Sequence, residues 1–538
     1  MTRPGYTRRN FLRLLGAVGG TGVMLGGMDA WGFSQASAQE APPQLRGNAG
    51  GTRVLILGAG LAGMTAAHEL GKLGYDTTIL EARGFAGGRC QTARRGFELT
   101  ELGGQTQRCL FDDEQSLYIN HGPWRIPYHH RSTLHYTKEF GVPLEVVVND
   151  NDAAYILYEN IEGPFKNRKV RRGEVKADMR GYSAELLAKA VRQDQLDTEL
   201  TADDKELLVT YLVAEGYLNS EDFAYTGTGG RGYRVPPGAG TDPGPGTPSD
   251  PFDFKALLSS GMGNLFRSVS SYSQQATMLE PVGGMDMIAK GFERSVGHLV
   301  TYNAEVTQLR KNADGVRVTY RNTQTDEEQV VEADYCICTI PLSVLNQIDA
   351  NFSPEFKTAI GSVAYEPTGK IGLQFNRRFW EEDDLIYGGH TTTDFMGQIS
   401  YPSYGFNKQK GVLLGYYNFG STAIQVSSRA PEGRTAYALE QGSKVHPQYP
   451  EAFESAFSVA WHLVPYSLGG WASWEDEGLE RAYPRLLQPD GRVYLAGEHL
   501  SYLTGWMAGA IESSWQQLEK LHQRAQQETA QRSAVGAA

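Results

Sequence analysis

Apolar residues along this chain come in short blocks punctuated by glycine. Val54-Leu55-Ile56-Leu57 is four apolar residues in a row, the pattern of a strand buried on both faces. It runs into Gly58-Ala59-Gly60-Leu61-Ala62-Gly63, then a helix-like stretch, then a second apolar block ending at Ile79-Leu80-Glu81. The pattern predicts a strand, a glycine turn, a helix and a parallel second strand. Later, Thr201-Ala202-Asp203-Asp204 caps a run with Leu207, Leu208, Tyr211 and Leu212 at helical spacing. Residues 226–251 are crowded with Gly and Pro and read as a long surface loop. Pro281 to Asp286 opens another helix. Strands starting at Ala304 carry Val316, Val318 and Tyr320 in alternation around an Asp314-Gly315 turn. Ala333-Asp334-Tyr335 leads into a buried strand that ends at Pro341. Ile371, Leu373 and Phe375 alternate onto one strand face and put Lys370 on the other, toward either solvent or a cavity. A last strand, Val493-Tyr494-Leu495-Ala496, meets Gly497-Glu498, and a Gly-rich helix start follows at Gly505-Trp506-Met507.

Each glycine of the first turn has its own physical task. Gly58 makes the turn, Gly60 lets the backbone approach a pyrophosphate, and Gly63 lets the helix pack on the strand. The helix N-terminus, with free N–H groups and a positive dipole end, favours that anion. Glu81 is placed to accept from ribose hydroxyls, and its charge disfavours a 2'-phosphate. Strand, glycines, helix and acid in register predict a dinucleotide cofactor.

At 538 residues, 40% apolar and 21% charged, the chain has the composition of a soluble protein and exceeds the usual size of one core. Thr7-Arg8-Arg9-Asn10-Phe11-Leu12-Arg13, a mildly apolar run to Gly27 and a small-x-small site at Ala36-Ser37-Ala38 resemble a twin-arginine export signal over 1–38. That predicts a periplasmic or secreted protein exported by the Tat machinery, with no membrane span once the signal is removed. Removing 1–38 leaves 46 basic against 61 acidic residues, a net charge of −15 that argues against nucleic-acid binding. Cys336 and Cys338, two apart on one strand, face the same way and are not expected to pair. Cys90 and Cys109 complete the set, and no spacing suggests a metal site.

Arg83, Gly87-Gly88-Arg89 and Glu101-Leu102-Gly103-Gly104 following the first unit resemble the extended fingerprint of the flavin amine oxidase superfamily, which points to FAD rather than NAD. Within that superfamily the chain resembles bacterial L-amino acid oxidases over nearly all its length. The implied fold is α/β: a Rossmann-like FAD-binding domain (52–115, 280–345, 485–530) interleaved with an α+β substrate-binding domain (116–180, 346–484) and a helical lobe (181–279). The resemblance implies cofactor contacts from Gly58, Gly60, Gly63, Glu81, Ala82, Arg83, Gly88, Arg89, Gly104, Arg125, Val306, Gly497, Glu498, Gly505, Trp506 and Met507. The family's flavin-linking cysteine has no counterpart near Gly469-Gly470, so FAD is expected to bind noncovalently.

Gly122-Pro123-Trp124-Arg125-Ile126-Pro127 is similar to the family segment whose arginine grips the substrate carboxylate. A guanidinium offers a planar, permanently charged fork suited to that group. By the same resemblance Tyr401 is its carboxylate-binding partner, Gly470 accepts the substrate ammonium, and Trp124, Trp471 and Trp506 line the pocket. Lys370 resembles the lysine that holds a water against flavin N5, and it is the catalytic candidate. His129, His130, His462 and His499 read as structural.

The implied reaction is oxidative deamination of L-amino acids, apolar or aromatic in preference or broad in range, with hydride transfer from Cα to flavin N5. It yields a 2-oxo acid, ammonia and hydrogen peroxide. An amine oxidase or dehydrogenase acting on amines without a carboxylate, an amino acid 2-monooxygenase, and a noncatalytic flavin-binding partner remain as alternatives. The partners expected are the L-amino acid and O2, in a homodimer.

Overall fold

The structure, a computed structural model, describes residues 39–49, 51–196, 199–267, 272 and 274–536. The export segment at 1–38 lies outside these residues. Among them, a five-stranded parallel sheet runs in the order 300–301, 76–80, 53–57, 335–338, 493–495. Its central strands explain their unbroken apolar runs. Leu55, Leu57, Cys336 and Cys338 face one buried cluster, while Val54, Ile56 and Ile337 face another on the opposite side. All four cysteines are buried and free.

On the second face lie the helices Leu61–Gly71 and Met507–Gly536, which bury Met64, Ala67, Ile511, Trp515 and Leu518 in one core. Sheet strands thus come from both ends and the middle of the chain. The intervening segments build a seven-stranded sheet in which 453–460, 368–375, 411–419, 398–400 and 390–393 are followed by 155–157 and 170–171. This α/β arrangement is the expected fold class.

The helical lobe begins earlier than expected, because the helix Arg172–Arg192 starts directly after a strand, with Glu174 accepting from the Arg171 amide at 3.0 Å. Its neighbour Ala202–Gly216 carries the expected Thr201/Asp204 capping box. Only part of the apolar spacing there is core, since Leu212 is buried but Leu207 and Tyr211 are exposed. The loop over 226–251 is tied to this lobe by Asp178, which receives Arg231, the Tyr225 hydroxyl and the Phe252 amide. The strand Thr277–Pro281 pairs with Leu144–Val148 and straddles the boundary expected at 279. No helix of the described residues is long and apolar enough to cross a membrane.

Candidate functional site

A cavity of about 750 Å³ runs from the glycine turn to the large antiparallel sheet. Its first end is backbone. The strand Arg53–Leu57 stops at Gly58, whose φ of +102° a side chain would strain, and Gly60 caps the helix in extended conformation. A Cβ on Gly63 would sit 2.0 Å from the Gly58 carbonyl oxygen, so helix and strand can approach only with glycine there. Gly88, at φ +58°, lies so close that its Cβ would come 3.1 Å from the Gly60 Cα. The Gly87 amide donates to the Ala59 carbonyl at 2.8 Å.

Glu81, 5% exposed, is fixed by two backbone amides, Ala59 at 2.8 Å and Arg83 at 3.0 Å. Arg83 lines the cavity, but its guanidinium is committed to the Pro465 carbonyl and the Ser467 hydroxyl. Burial depresses its pKa. Ala82 and Val306 line the same end.

In the middle, Glu498 ties several segments together. It receives Arg89 at 2.8 Å and the amides of Ala472 and Gly505. Gly497, Gly505, Trp506 and Met507 line the wall, and the helix Met507–Gly536 points its N-terminus at it. Two helix N-termini, two glycine segments that exclude Cβ atoms and a buried acid fit an elongated dinucleotide with a diphosphate at its centre. Gly104 is not part of this wall. It occupies an open turn at φ +81°, where a Cβ would find no other atom within 4 Å, and its neighbour Leu102 reaches the cavity instead. The cause is Glu101, which is drawn inward by a bidentate bond to buried Arg434 while the following glycines turn outward.

At the far end the side chains carry charge. Gly122 can pass against Arg89 only because it has no Cβ, which would lie 1.9 Å from the Arg89 carbonyl oxygen. This close approach sets the direction of the next residues, Trp124 and Arg125. Arg125 is 7% exposed, lies 5.3 Å from the centre of the Trp124 ring and donates through one Nη to the Gln274 side-chain oxygen at 2.8 Å. Lys370, on the fully buried strand Thr368–Phe375, faces the cavity, while Ile371, Leu373 and Phe375 face the core. Of the two faces open to Lys370, the structure selects the cavity. Its Nζ donates to the carbonyls of Asn120 and Gly122 and lies 4.4 Å from the centre of the Tyr417 ring. Burial, with Arg125 adding to it, pushes the Lys370 pKa down to about 7.

Tyr401 is not in this site. Its hydroxyl is 2.7 Å from both Thr391 Oγ1 and His446 Nε2, and His446 passes on to Asp384 at 2.8 Å. The strand geometry turns Tyr401 into the core cluster behind the sheet. The tyrosine that lines the cavity beside Lys370 is Tyr417, paired directly across from it on the strand Gly411–Phe419, while Tyr466 lines it elsewhere. Burial raises its pKa to about 12, and Arg125 partly offsets that rise. Gly470, Trp471, Trp124 and Trp506 line the cavity as expected, but the Gly470 carbonyl already accepts from Arg89 at 2.8 Å. Sequence reasoning missed Tyr417 and Gln274. The first had a signal, because it belongs to a strand-like run, whereas the second lies in a stretch with no periodicity.

Residues 61–517 match the family described as flavin containing amine oxidoreductase. A Bacillus subtilis (strain 168) protein named "Putative L-amino-acid oxidase YobN" is 30% identical over 86% of this chain and 92% of its own. The L-amino-acid oxidase of the snake Pseudechis australis is 27% identical over 86% of this chain and 85% of its own. Among solved structures, cyclohexylamine oxidase from Brevibacterium oxydans superimposes with a TM-score of 0.58 at 15% identity, covering 88% of this chain and all of that one. Putrescine oxidase bound to putrescine does so at 0.56 and 18%, covering 87% of this chain and 98% of that one. This chain, an oxidoreductase with a flavin site, belongs to the flavin containing amine oxidoreductase family.

Proposed function

We propose that this protein oxidises L-amino acids at Cα with noncovalently bound FAD, forming a 2-oxo acid, ammonia and hydrogen peroxide. The observation that carries this reading is Arg125, a buried guanidinium at the aromatic end of the cavity, beside Lys370 and Tyr417. Its planar, permanently charged fork at the cavity wall is suited to a carboxylate. An α-carboxylate is the anion every amino acid supplies and a plain amine lacks.

The residues divide the work. Glu81, the glycine turns, Glu498 and the N-terminus of the last helix would hold the cofactor. The flavin, when bound, supplies the two-electron acceptor for the Cα hydrogen. Arg125 grips the carboxylate through its planar fork, and Tyr417 stands at the same wall to donate its hydroxyl. Trp124, Trp471 and Trp506 flank the side chain and exclude water. Lys370, with a pKa of about 7, exchanges its proton near neutral pH and can take one from the substrate ammonium or from a water beside it. Cys90 lines the cavity, but burial raises its pKa and its Sγ donates to the Met285 carbonyl, which keeps it a neutral thiol and a poor candidate for flavin attachment.

The test is a peroxide-coupled screen of the purified yellow protein on L-amino acids, their D-enantiomers and the matching decarboxylated amines. It is repeated with Arg125→Met. Activity confined to L-acids and lost in the variant supports the carboxylate clamp. Turnover of amines unaffected by Arg125→Met would overturn it in favour of a plain amine oxidase.

A further inference from the structure

Outside the cavity wall, two helices bring imidazole and carboxylate groups together. His68 and Glu69 stand in the last turn of the helix Leu61–Gly71, and Glu139 ends the helix Arg131–Glu139. The ligand atoms of these three residues all lie within 4.8 Å of one another, with His68 Nε2 2.9 Å from Glu139 Oε1 and 3.9 Å from Glu69 Oε1. A second ring of polar contacts surrounds them. His68 Nδ1 is 2.8 Å from Ser295 Oγ, the Tyr136 hydroxyl donates to Glu69 Oε1 at 2.8 Å, and His135 Nε2 lies 3.2 Å from Glu139 Oε2. Lys72 Nζ, on a half-exposed side chain, sits between the two carboxylates at 2.9 Å and 3.1 Å. The sequence shows no ligand motif here because these residues meet only in the fold.

We propose that His68, Glu69 and Glu139 form a binding site for a divalent zinc ion, separate from the flavin cavity. Tetrahedral Zn2+ holds nitrogen and oxygen ligands at about 2.0–2.2 Å, which sets the ligand atoms about 3.3–3.6 Å apart. The separations of 2.9 and 3.9 Å bracket that spacing. An imidazole nitrogen with two carboxylates suits zinc, whereas a hard ion such as Mg2+ prefers oxygen ligands. The surrounding contacts are of the kind that orient ligands. With Nδ1–H donating to Ser295, Nε2 presents its lone pair to the cluster, and the Phe140 ring, 5.2 Å away, limits rotation of the imidazole. Lys72 already meets the paired carboxylates with one positive charge. Its exposed stem lets the ammonium swing into water, where a dication takes its place with twice the charge and a water completes the coordination. The ion ties the helix Leu61–Gly71 to Arg131–Glu139 and, through Ser295, to the helix Asp286–Val296.

The test uses the flavin-loaded protein without a histidine tag, stripped with EDTA and titrated calorimetrically with Zn2+ and, separately, with Mg2+. Bound metal is counted by elemental analysis, and Tm is read with and without zinc. One Zn2+ per chain and a zinc-dependent rise in Tm are expected, because the ligands converge only in the folded chain. His68→Ala and Glu139→Gln should each weaken Zn2+ by about a hundredfold, and Ser295→Ala, which removes only an outer contact, by about tenfold. Lys72→Met should tighten it by about two- to fivefold, since an exposed ion pair no longer competes. That variant keeps all three ligands, so it tests the site even where a ligand variant does not fold. Absence of bound zinc, binding indifferent to His68→Ala and Glu139→Gln, weaker binding in Lys72→Met, or Mg2+ held as tightly as Zn2+ would each overturn the proposal.

Discussion

Lys370 gives the sharpest quantitative handle on the site. Its amine is 2% exposed, and its pKa is pushed from the usual 10.5 to about 7, first by burial and then by Arg125. The drop corresponds to about 5 kcal/mol of destabilisation in the charged form. The sign follows from proton counting. Between about pH 7 and 10.5 the unfolded chain holds the proton and the folded protein does not, so stability contributed by this site rises with pH. Below pH 7 both states are charged and the full burial cost is present. Lys370→Met deletes the titration, while all other groups are common to both proteins and cancel. Two carbonyls, of Asn120 and Gly122, lose their donor in the variant, which shifts its curve by a constant amount but not its slope. Wild type should therefore gain on the variant by about 1.4 kcal/mol per pH unit, or about 3 kcal/mol from about pH 7 to 9.5. For a chain of 538 residues the unfolding entropy is on the order of 1 kcal/mol/K, so the difference in Tm should move by about 3 °C. Scanning calorimetry of both proteins at half-unit pH steps measures it. Parallel Tm curves over that range would refute the assignment of a neutralised lysine.

The cofactor end and the framework make further demands. Gly63→Ala would force a Cβ to within 2.0 Å of the Gly58 carbonyl oxygen, so the purified variant should carry far less flavin, read as the ratio of visible to protein absorbance. Glu101→Gln breaks the buried bidentate pair with Arg434 and should cost about 3–5 kcal/mol, seen as a Tm lower by about 3–5 °C. Tyr417→Phe should raise KM for L-amino acids by about tenfold or more through loss of one hydrogen bond to a charged group. Tyr401→Phe should leave KM unchanged and lower Tm, because its hydroxyl serves Thr391 and His446 inside the core. The opposite result for the two tyrosines would return Tyr401 to the substrate pocket.

What could be read from sequence has a physical boundary. The first glycine turn was legible because its demands are local: a positive φ at Gly58 and the Cβ-free approach of Gly63 are properties of a few adjacent residues. Lys370 was legible to within a choice of two, since alternation alone puts it opposite Ile371 and Leu373, and the fold had only to decide what lay on its side. Glu81 is legible from its position at a strand end, whereas Glu498 is implied by the family resemblance. Each of these residues is fixed by the backbone element that carries it.

Tyr401 and Tyr417 mark where that reasoning stops. Both lie in or beside strands of the same antiparallel sheet, and which of them faces the cavity depends on register, which period-two alternation does not fix. That register comes from the pairing of Lys370 with Tyr417 and from bulges between Ile371 and Gly372 and between Gln398 and Ser400, contacts set between strands and invisible along either. Gln274 is further still from any pattern, since it enters the cavity from the irregular segment before the strand Thr277–Pro281 and owes its place to bonds made by its neighbours to Asn149. The residues proposed to hold the cofactor sit on backbone motifs, whereas those proposed to meet the substrate, Trp124 with Arg125, Lys370, Tyr417, Trp471 and Trp506, arrive from separate segments. The substrate end is therefore set by the fold as a whole, which is why its residues escape a reading along the chain while the glycine turn does not.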